Sequence, residues 1–255
     1  MGRVPGPIQS IQRAAEVLKL LAHGGAHQLS VGEISRALDL AKPTVHGILR
    51  TLQEVGFVEQ EVEGGKYRLG AALFQIGTSY LDGNELRAKA LNWSDTLAMR
   101  AREAVRIGVL HGNHVLVVHH VFRPDNSRQT LDSGALLPWH ATALGKALVA
   151  FSDDWPNNDL QPFTRHTLNA DRLASALHEV KDRDWAYDLH ELVEGEASVA
   201  APVRDRRGVV VGAIGISGPV ERLCDSPDRP PRLELVSYVR EAARSVSREL
   251  GGLSW

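Results

Sequence analysis

Lys42, Thr44, His46 and Arg50 are threaded through a stretch whose large remaining residues, Val45, Ile48, Leu49 and Leu52, are apolar. Wound into a helix, the stretch turns the apolar set to one face and the cations, imidazole and hydroxyl largely to the other. Donors of these types on one exposed rod are suited to reading base edges and anchoring to phosphates. Arg50 could take a guanine in bidentate fashion or hold a phosphate; Thr44 could donate to a phosphate or cap the helix start. Arg13 upstream, and Lys66 and Arg68 downstream, would flank such a reader.

The surrounding punctuation predicts the elements that place this rod. Pro43 stands in the first helical turn, where a missing N–H costs nothing. Ser30 and Glu33 have the spacing of a capping box, opening a helix that carries Ile34, Ala37 and Leu38 inward; Asp39–Lys42 is the turn between the two helices. An earlier helix, capped by Ser10 and ended by His23-Gly-Gly25, presents Ile11, Ala14, Leu18 and Leu21 on one face. Gly56 closes the third helix, and Phe57-Val58 and Tyr67–Leu69 read as short strands about the turn Glu63-Gly-Gly65. This order is that of a winged helix-turn-helix DNA-binding domain over residues 1–70. Ala71–Leu81 reads as a further helix, apolar almost all round, within a linker over 71–84. A helix that greasy should pack on something, and a partner subunit is the natural choice.

Charge is less accommodating. Residues 1–82 hold eight Lys/Arg and eight Asp/Glu, so this half is formally neutral rather than the basic block many nucleic-acid binders show. Distribution compensates: Lys42 and Arg50 share the reading helix, while Lys66 and Arg68 share the wing, which is enough to supply a phosphate term. The chain of 255 residues is 43% apolar and 24% charged, which fits a globular protein of one small and one medium domain. No apolar run is long enough to span a membrane, and the first residues lack a signal-peptide core, so a cytoplasmic location is expected. Cys224 is the only cysteine and reads as a small structural residue.

Residues 85–255 alternate helix and strand patterns of an α+β domain. Helices are expected over Glu85–Arg102, Arg172–Arg183 and Leu233–Leu250, and strands over Ala104–His111, Val115–Phe122, Arg128–Asp132, Ala197–Val203 and Val209–Ile216. His140–Lys146 feeds a loop into a helix, so the amides near Ala143 and Leu144 could face the carboxylate or phosphate of a small ligand.

Six segments in this order resemble the motifs of the IclR family of bacterial transcriptional regulators. They are Gln9-Ser-Ile-Gln-Arg-Ala14, Pro43-Thr-Val-His46, Lys66-Tyr-Arg-Leu-Gly70, His140-Ala-Thr-Ala-Leu-Gly-Lys-Ala147, Ala200-Ala-Pro-Val-Arg-Asp205 and Ser217-Gly-Pro219. The resemblance implies a winged helix-turn-helix joined by a linker helix to a GAF-like effector-binding domain. It implies a homodimer made through the DNA-binding half, in the family often paired into tetramers, which binds palindromic double-stranded operator DNA. A small-molecule effector would control it, with repression the expected sign. Effector contacts are implied at Ala143, Leu144, Asp188, Ser198 and Ser217, with Glu196 and Gly215 lining the pocket.

Relatives often carry arginine where Gly47 stands; the departure removes a phosphate contact and costs about 1 kcal/mol of helix propensity. Asp188 would accept hydroxyls of a polyol, and Ser198 and Ser217 would bond oxygens. An acidic Glu196, where relatives are often apolar, suits a glycerol-like ligand; a small carboxylate or aromatic acid is the alternative. The local alternatives are Ser217 as a turn former before Gly218-Pro219 and Asp188 as a surface charge.

The rival class is an enzyme with an appended DNA-binding domain. No Gly-x-Ser-x-Gly surrounds Ser133, Ser198 or Ser217, and neither a glycine-rich phosphate loop nor His-Glu-x-x-His occurs, so catalysis is not expected. His140, His190 and Glu191 are of metal-ligating types, but their spacing makes no helical pair. His119 and His120, adjacent on a strand, face opposite sides. Neither a metal nor another cofactor is expected.

Overall fold

Ser30 and Glu33 make the reciprocal cap that their spacing predicts: the Glu33 amide donates to Ser30 Oγ at 3.3 Å and the Ser30 amide to Glu33 Oε2 at 2.8 Å. The computed structural model describes residues 6–23, 28–62, 65–125, 127–152, 155 and 160–252, and the chain divides into two compact units, 1–83 and 84–255.

The first unit runs α1 (Gln9–His23), α2 (Val31–Leu38), α3 (Lys42–Glu54), β1 (Val58–Gln60), β2 (Tyr67–Leu69) and α4 (Ala71–Asp82), with β1 and β2 antiparallel. Between α2 and α3, Asp39 adopts a left-handed conformation (φ 51°) that turns the chain sharply. Val45, Leu49 and Leu52 of α3 share one core with Val17, Leu21, Ile34, Val58 and Tyr67. Gly56 (φ 74°) releases the chain from α3 into the hairpin.

Some local expectations fail here. Ser10 does not cap α1: the helix already includes Gln9, and Ile8 O accepts from the Ile11 and Gln12 amides. Ala37 is exposed rather than inward, because so short a helix as α2 buries only the stripe through Ile34. Phe57 precedes β1 instead of opening it. Gly24 and Gly25 of the expected helix stop, and Glu63 and Gly64 of the expected hairpin turn, lie outside the described residues.

In the second unit α5 (Glu85–Ala101), capped by Asn84, leads into β3 (Ala104–His111), β4 (His114–Val121), β5 (Leu136–Pro138), α6 (Ala143–Val149) and α7 (Ala170–Arg183). β6 (Ala186–Leu189), β7 (Glu196–Arg204), β8 (Val210–Pro219), α8 (Val220–Leu223) and α9 (Leu233–Glu249) follow. The strands form one antiparallel sheet ordered β5-β4-β3-β8-β7-β6. α6 and α7 pack through Ala143, Ala147, Leu148, Leu173 and Leu177 onto Ala186, Ala200 and Ala213, while α5 and α9 pair with each other against β3 and β7. Helices on a single antiparallel sheet make the α+β class.

Arg128–Asp132 is not a strand. The Asp132 amide donates to His120 Nδ1 at 3.0 Å, Gly134 (φ 89°) turns the chain, and Leu136–Pro138 takes up the pairing with β4. α7 starts at Ala170, ahead of Arg172, because Asn169 Oδ1 caps it through the Arg172 amide. The single turn α8 has no counterpart in the periodicity of the sequence.

α6 lies so close to the preceding loop that a Cβ at Gly145 would stand 2.1 Å from Trp139 O, a backbone atom that cannot yield. Gly145→Ala is therefore expected to destabilise by about 1–3 kcal/mol or more. Gly47→Ala, whose Cβ would meet nothing within 4 Å, is expected to stabilise by about 1 kcal/mol. Chemical denaturation followed by circular dichroism reads both, and an unmoved midpoint for Gly145→Ala would contradict the packing.

Candidate nucleic-acid interface and effector pocket

Lys42, His46 and Arg50 recur every fourth residue and stand exposed on α3, while Val45, Leu49 and Leu52 are buried. Gly47 is exposed beside them and Thr44 is half-buried. α3 starts from Ala41 with no side-chain cap, so Thr44 does not serve the capping role. Arg50 Nε donates to Glu54 Oε1 at 3.2 Å with the side chains 79% and 62% exposed. An ion pair so open is weak, and its guanidinium is available to a stronger anion. On β2, Arg68 pairs with Glu59 of β1 at 3.3 Å, and Lys66 is exposed just ahead of it. Arg13 lies half-buried on α1.

The second unit holds a cavity of about 180 Å³ over β3, β8, β7 and β6. Strand register explains its polar floor. Ser217 of β8 pairs with Ser198 of β7, and Ser198 with Asp188 of β6, so these side chains form one row across neighbouring strands. Arg106 on β3 pairs with Gly215, one side-chain step to one side of that row, and its guanidinium donates to Ser217 Oγ. Glu196 lies one step to the other side along β7. Of the residues anticipated from the sequence, Leu144, Asp188, Glu196, Ser198, Gly215 and Ser217 line the cavity.

Ala143 differs from the expectation. Its amide donates to Asp188 Oδ2 at 2.9 Å and approaches Ser198 Oγ at 3.4 Å, so the start of α6 is answered by a protein carboxylate rather than left open to a ligand. Ser198 Oγ donates to the same carboxylate oxygen. Asp188 is not a surface charge. It is only 6% exposed, and burial pushes its carboxyl above the usual range while Lys146, Ser198 and the Ala143 amide pull it back.

Lys146 of α6 is itself buried, and its Nζ donates to Glu191 Oε1 at 2.6 Å. Burial pushes Glu191 up to about 7 against the pull of Lys146, and Asp188 pushes the same way. One ammonium thus serves two buried carboxylates. His140 Nε2 meets Gln161 O at 3.0 Å, and His190 Nδ1 accepts from the Gly195 amide at 2.9 Å. Among the described residues no three His, Cys, Asp or Glu gather as metal ligands.

Sequence reasoning passed over Arg106, Asp132 and the Lys146–Glu191 pair. Arg106 is the one charged residue in Ala104–Leu110, and Lys146 the one in Ala143–Ala150, so both carried a visible signal. Asp132 carried none, since a turn brings it to the cavity.

The sign of the Glu191 effect follows from its raised value. Between about 4.5 and about 7 the folded chain holds a proton there that the unfolded chain has released. Stability from this group is full below that window and lost as pH rises through it. Glu191→Gln is expected to remove on the order of 1 kcal/mol of the fall in unfolding free energy that the wild type shows between about pH 5.5 and about pH 7.5. Urea denaturation of both chains at the two pH values measures it; parallel falls would reject the raised Glu191.

The chain matches the sequence profile of the IclR helix-turn-helix domain over residues 10–62 and that of the bacterial transcriptional regulator IclR C-terminal domain over residues 78–248. It is 54% identical over 250 residues to the glycerol operon regulatory protein of Streptomyces griseus, covering 96% of this chain and 97% of that one. It is 51% identical over 249 residues to the protein of the same name from Streptomyces coelicolor, again covering 96% and 97%. The crystal structure of an IclR transcriptional regulator from Alicyclobacillus acidocaldarius matches with a TM-score of 0.81 at 24% identity, covering 96% of this chain and 100% of that one, a likeness of fold. With both halves matched in place, the chain belongs to the IclR family of DNA-binding bacterial transcriptional regulators.

Proposed function

We propose that this regulator represses an operon of glycerol catabolism and leaves its operator when a short polyol phosphate, glycerol 3-phosphate first among candidates, enters the cavity. The observation that carries the reading is the polar row Ser217–Ser198–Asp188, with a cation to one side and Glu196 to the other. Acceptors at that spacing suit a ligand with hydroxyls, and Leu137, Leu144 and Ile216 supply apolar wall. The names of the Streptomyces relatives point the same way. In this reading Asp188 and Glu196 accept ligand hydroxyls, Ser198 and Ser217 bond its oxygens, and Leu144 and Gly215 shape the wall. Ala143 contributes by holding the Asp188 carboxylate.

Residues 1–70 then bind DNA, 71–84 link and 85–255 sense, in the cytoplasm. Lys42, His46 and Arg50 enter the groove with Thr44 near a phosphate, while Arg13, Lys66 and Arg68 meet the flanking backbone. Gly47 adds no side chain, so the operator differs from one read by relatives with arginine there. The working form is a homodimer, able to pair into a tetramer. α4 buries none of its residues in the single chain, and Phe74, Ile76 and Tyr80 are 75%, 56% and 54% exposed, which supports α4 as the surface for the second subunit.

Anisotropy of a labelled operator fragment over a range of salt tests the DNA contact. Arg50→Ala is expected to weaken binding by about 1–3 kcal/mol and to lower the salt slope by about 1; unchanged binding would move the reading helix elsewhere. In the same assay glycerol 3-phosphate is expected to release the fragment, and release by a small carboxylate or aromatic acid alone would select that ligand class instead. Sedimentation equilibrium checks the assembly: Phe74→Lys is expected to shift the dimer toward monomer, and an unshifted dimer would place the interface off α4.

A further inference from the structure

Arg106 is the cation of the cavity, and it is already engaged. Its Nε donates to Asp132 Oδ2 at 2.7 Å, a terminal nitrogen reaches the same oxygen at 2.5 Å, and another donates to Ser217 Oγ. Both side chains of the pair are 24% exposed and both line the cavity. An Arg left alone at that depth would be an uncompensated charge, and Asp132 is the anion that answers it. Asp132 is delivered by its backbone, not by a rigid element. Its amide is held by His120 Nδ1 at 3.0 Å, and His120 is the cross-strand neighbour of Arg106. Rotation of one side chain is therefore enough to withdraw the carboxylate while the backbone stays in place.

The other carboxylates stand away from this end. Asp188 is two strands along the row from Ser217, roughly 9–10 Å at the usual strand spacing, and one of its oxygens is taken by Ser198 and the Ala143 amide. Glu196 lies beyond the row on the side opposite Arg106. The cavity is thus polarised, with a site for an anion at Arg106 and acceptors for hydroxyls at the far end.

We propose that Arg106 and Ser217 form an anion subsite and that Asp132 is its built-in competitor, displaced when the phosphate of a short polyol phosphate docks. A neutral polyol leaves the Arg106–Asp132 pair closed and meets only the acceptor end; an anionic ligand exchanges for Asp132 and is measured against it. Asp132 therefore sets how strongly the pocket prefers a phosphorylated ligand over its neutral parent. The ligand class rests on reading the cavity as the effector site, but the exchange itself does not.

Isothermal titration of the full chain with inorganic phosphate and, separately, with glycerol 3-phosphate tests the exchange. Asp132→Asn and Asp132→Ser are expected to bind both anions about tenfold more tightly than the wild type, on the scale of one charge-assisted contact regained. In Arg106→Gln/Asp132→Asn the gain is expected to vanish. Equal or weaker phosphate binding by both Asp132 variants, with circular dichroism showing them folded, would overturn the proposal, as would a gain that survives loss of Arg106. A gain in phosphate affinity with no change in the glycerol 3-phosphate needed to release operator DNA would uphold the exchange while removing the effector reading of the cavity.

Discussion

A buried ammonium has to be answered from within, and in the second unit that demand is set by Lys146. Every residue of α6 is buried, and Gly145 lets its backbone come down onto Trp139, so the one long polar side chain of the helix has only the interior to enter. Glu191 meets it there. To do so, the turn after β6 must fold over the cavity, where Leu192 and Val193 form part of the lining. The hydroxyls of Thr164 and Thr167 hold the same turn by donating to His190 O and Glu191 O respectively. Helix, turn and cavity wall are ordered by a single buried charge.

That arrangement leaves an imbalance. Asp188 also feels Lys146, so two carboxylates share one ammonium in a space that solvates charge poorly. Burial dominates in both cases, and both carboxyls rise above their ordinary range. Of the two, Asp188 lies on the cavity floor, where its carboxyl holds a proton more readily than an exposed one would. The amide at the start of α6 steadies Asp188, and its geometry shows why the helix terminus is not itself a free anion site.

The first unit solves a different problem, that of presenting cations from a neutral segment. α3 divides cleanly: Val45, Leu49 and Leu52 enter the core, and Lys42, His46 and Arg50 remain outside. Glu54 and Glu59, the acids that neutralise the local charge, hold their arginines in exposed pairs that water and salt weaken. Formal neutrality therefore does not silence the face, because the partners are loosely held.

The residues by themselves determined what neighbours within a turn or two can decide. The Ser30–Glu33 box, Pro43 in the first turn of α3, the two faces of that helix and the strand within β7 were all legible, since caps and periodicity act locally. The tertiary structure alone decided which buried charges meet. Lys146 and Glu191 are 45 residues apart, as are Ala143 and Asp188, and Arg106 and Asp132 are 26 apart. Arg128–Asp132 read as a strand until the Gly134 turn and the His120 acceptor claimed it. Register places Ser217, Ser198 and Asp188 in one row, and register depends on the whole sheet closing, which no local pattern encodes.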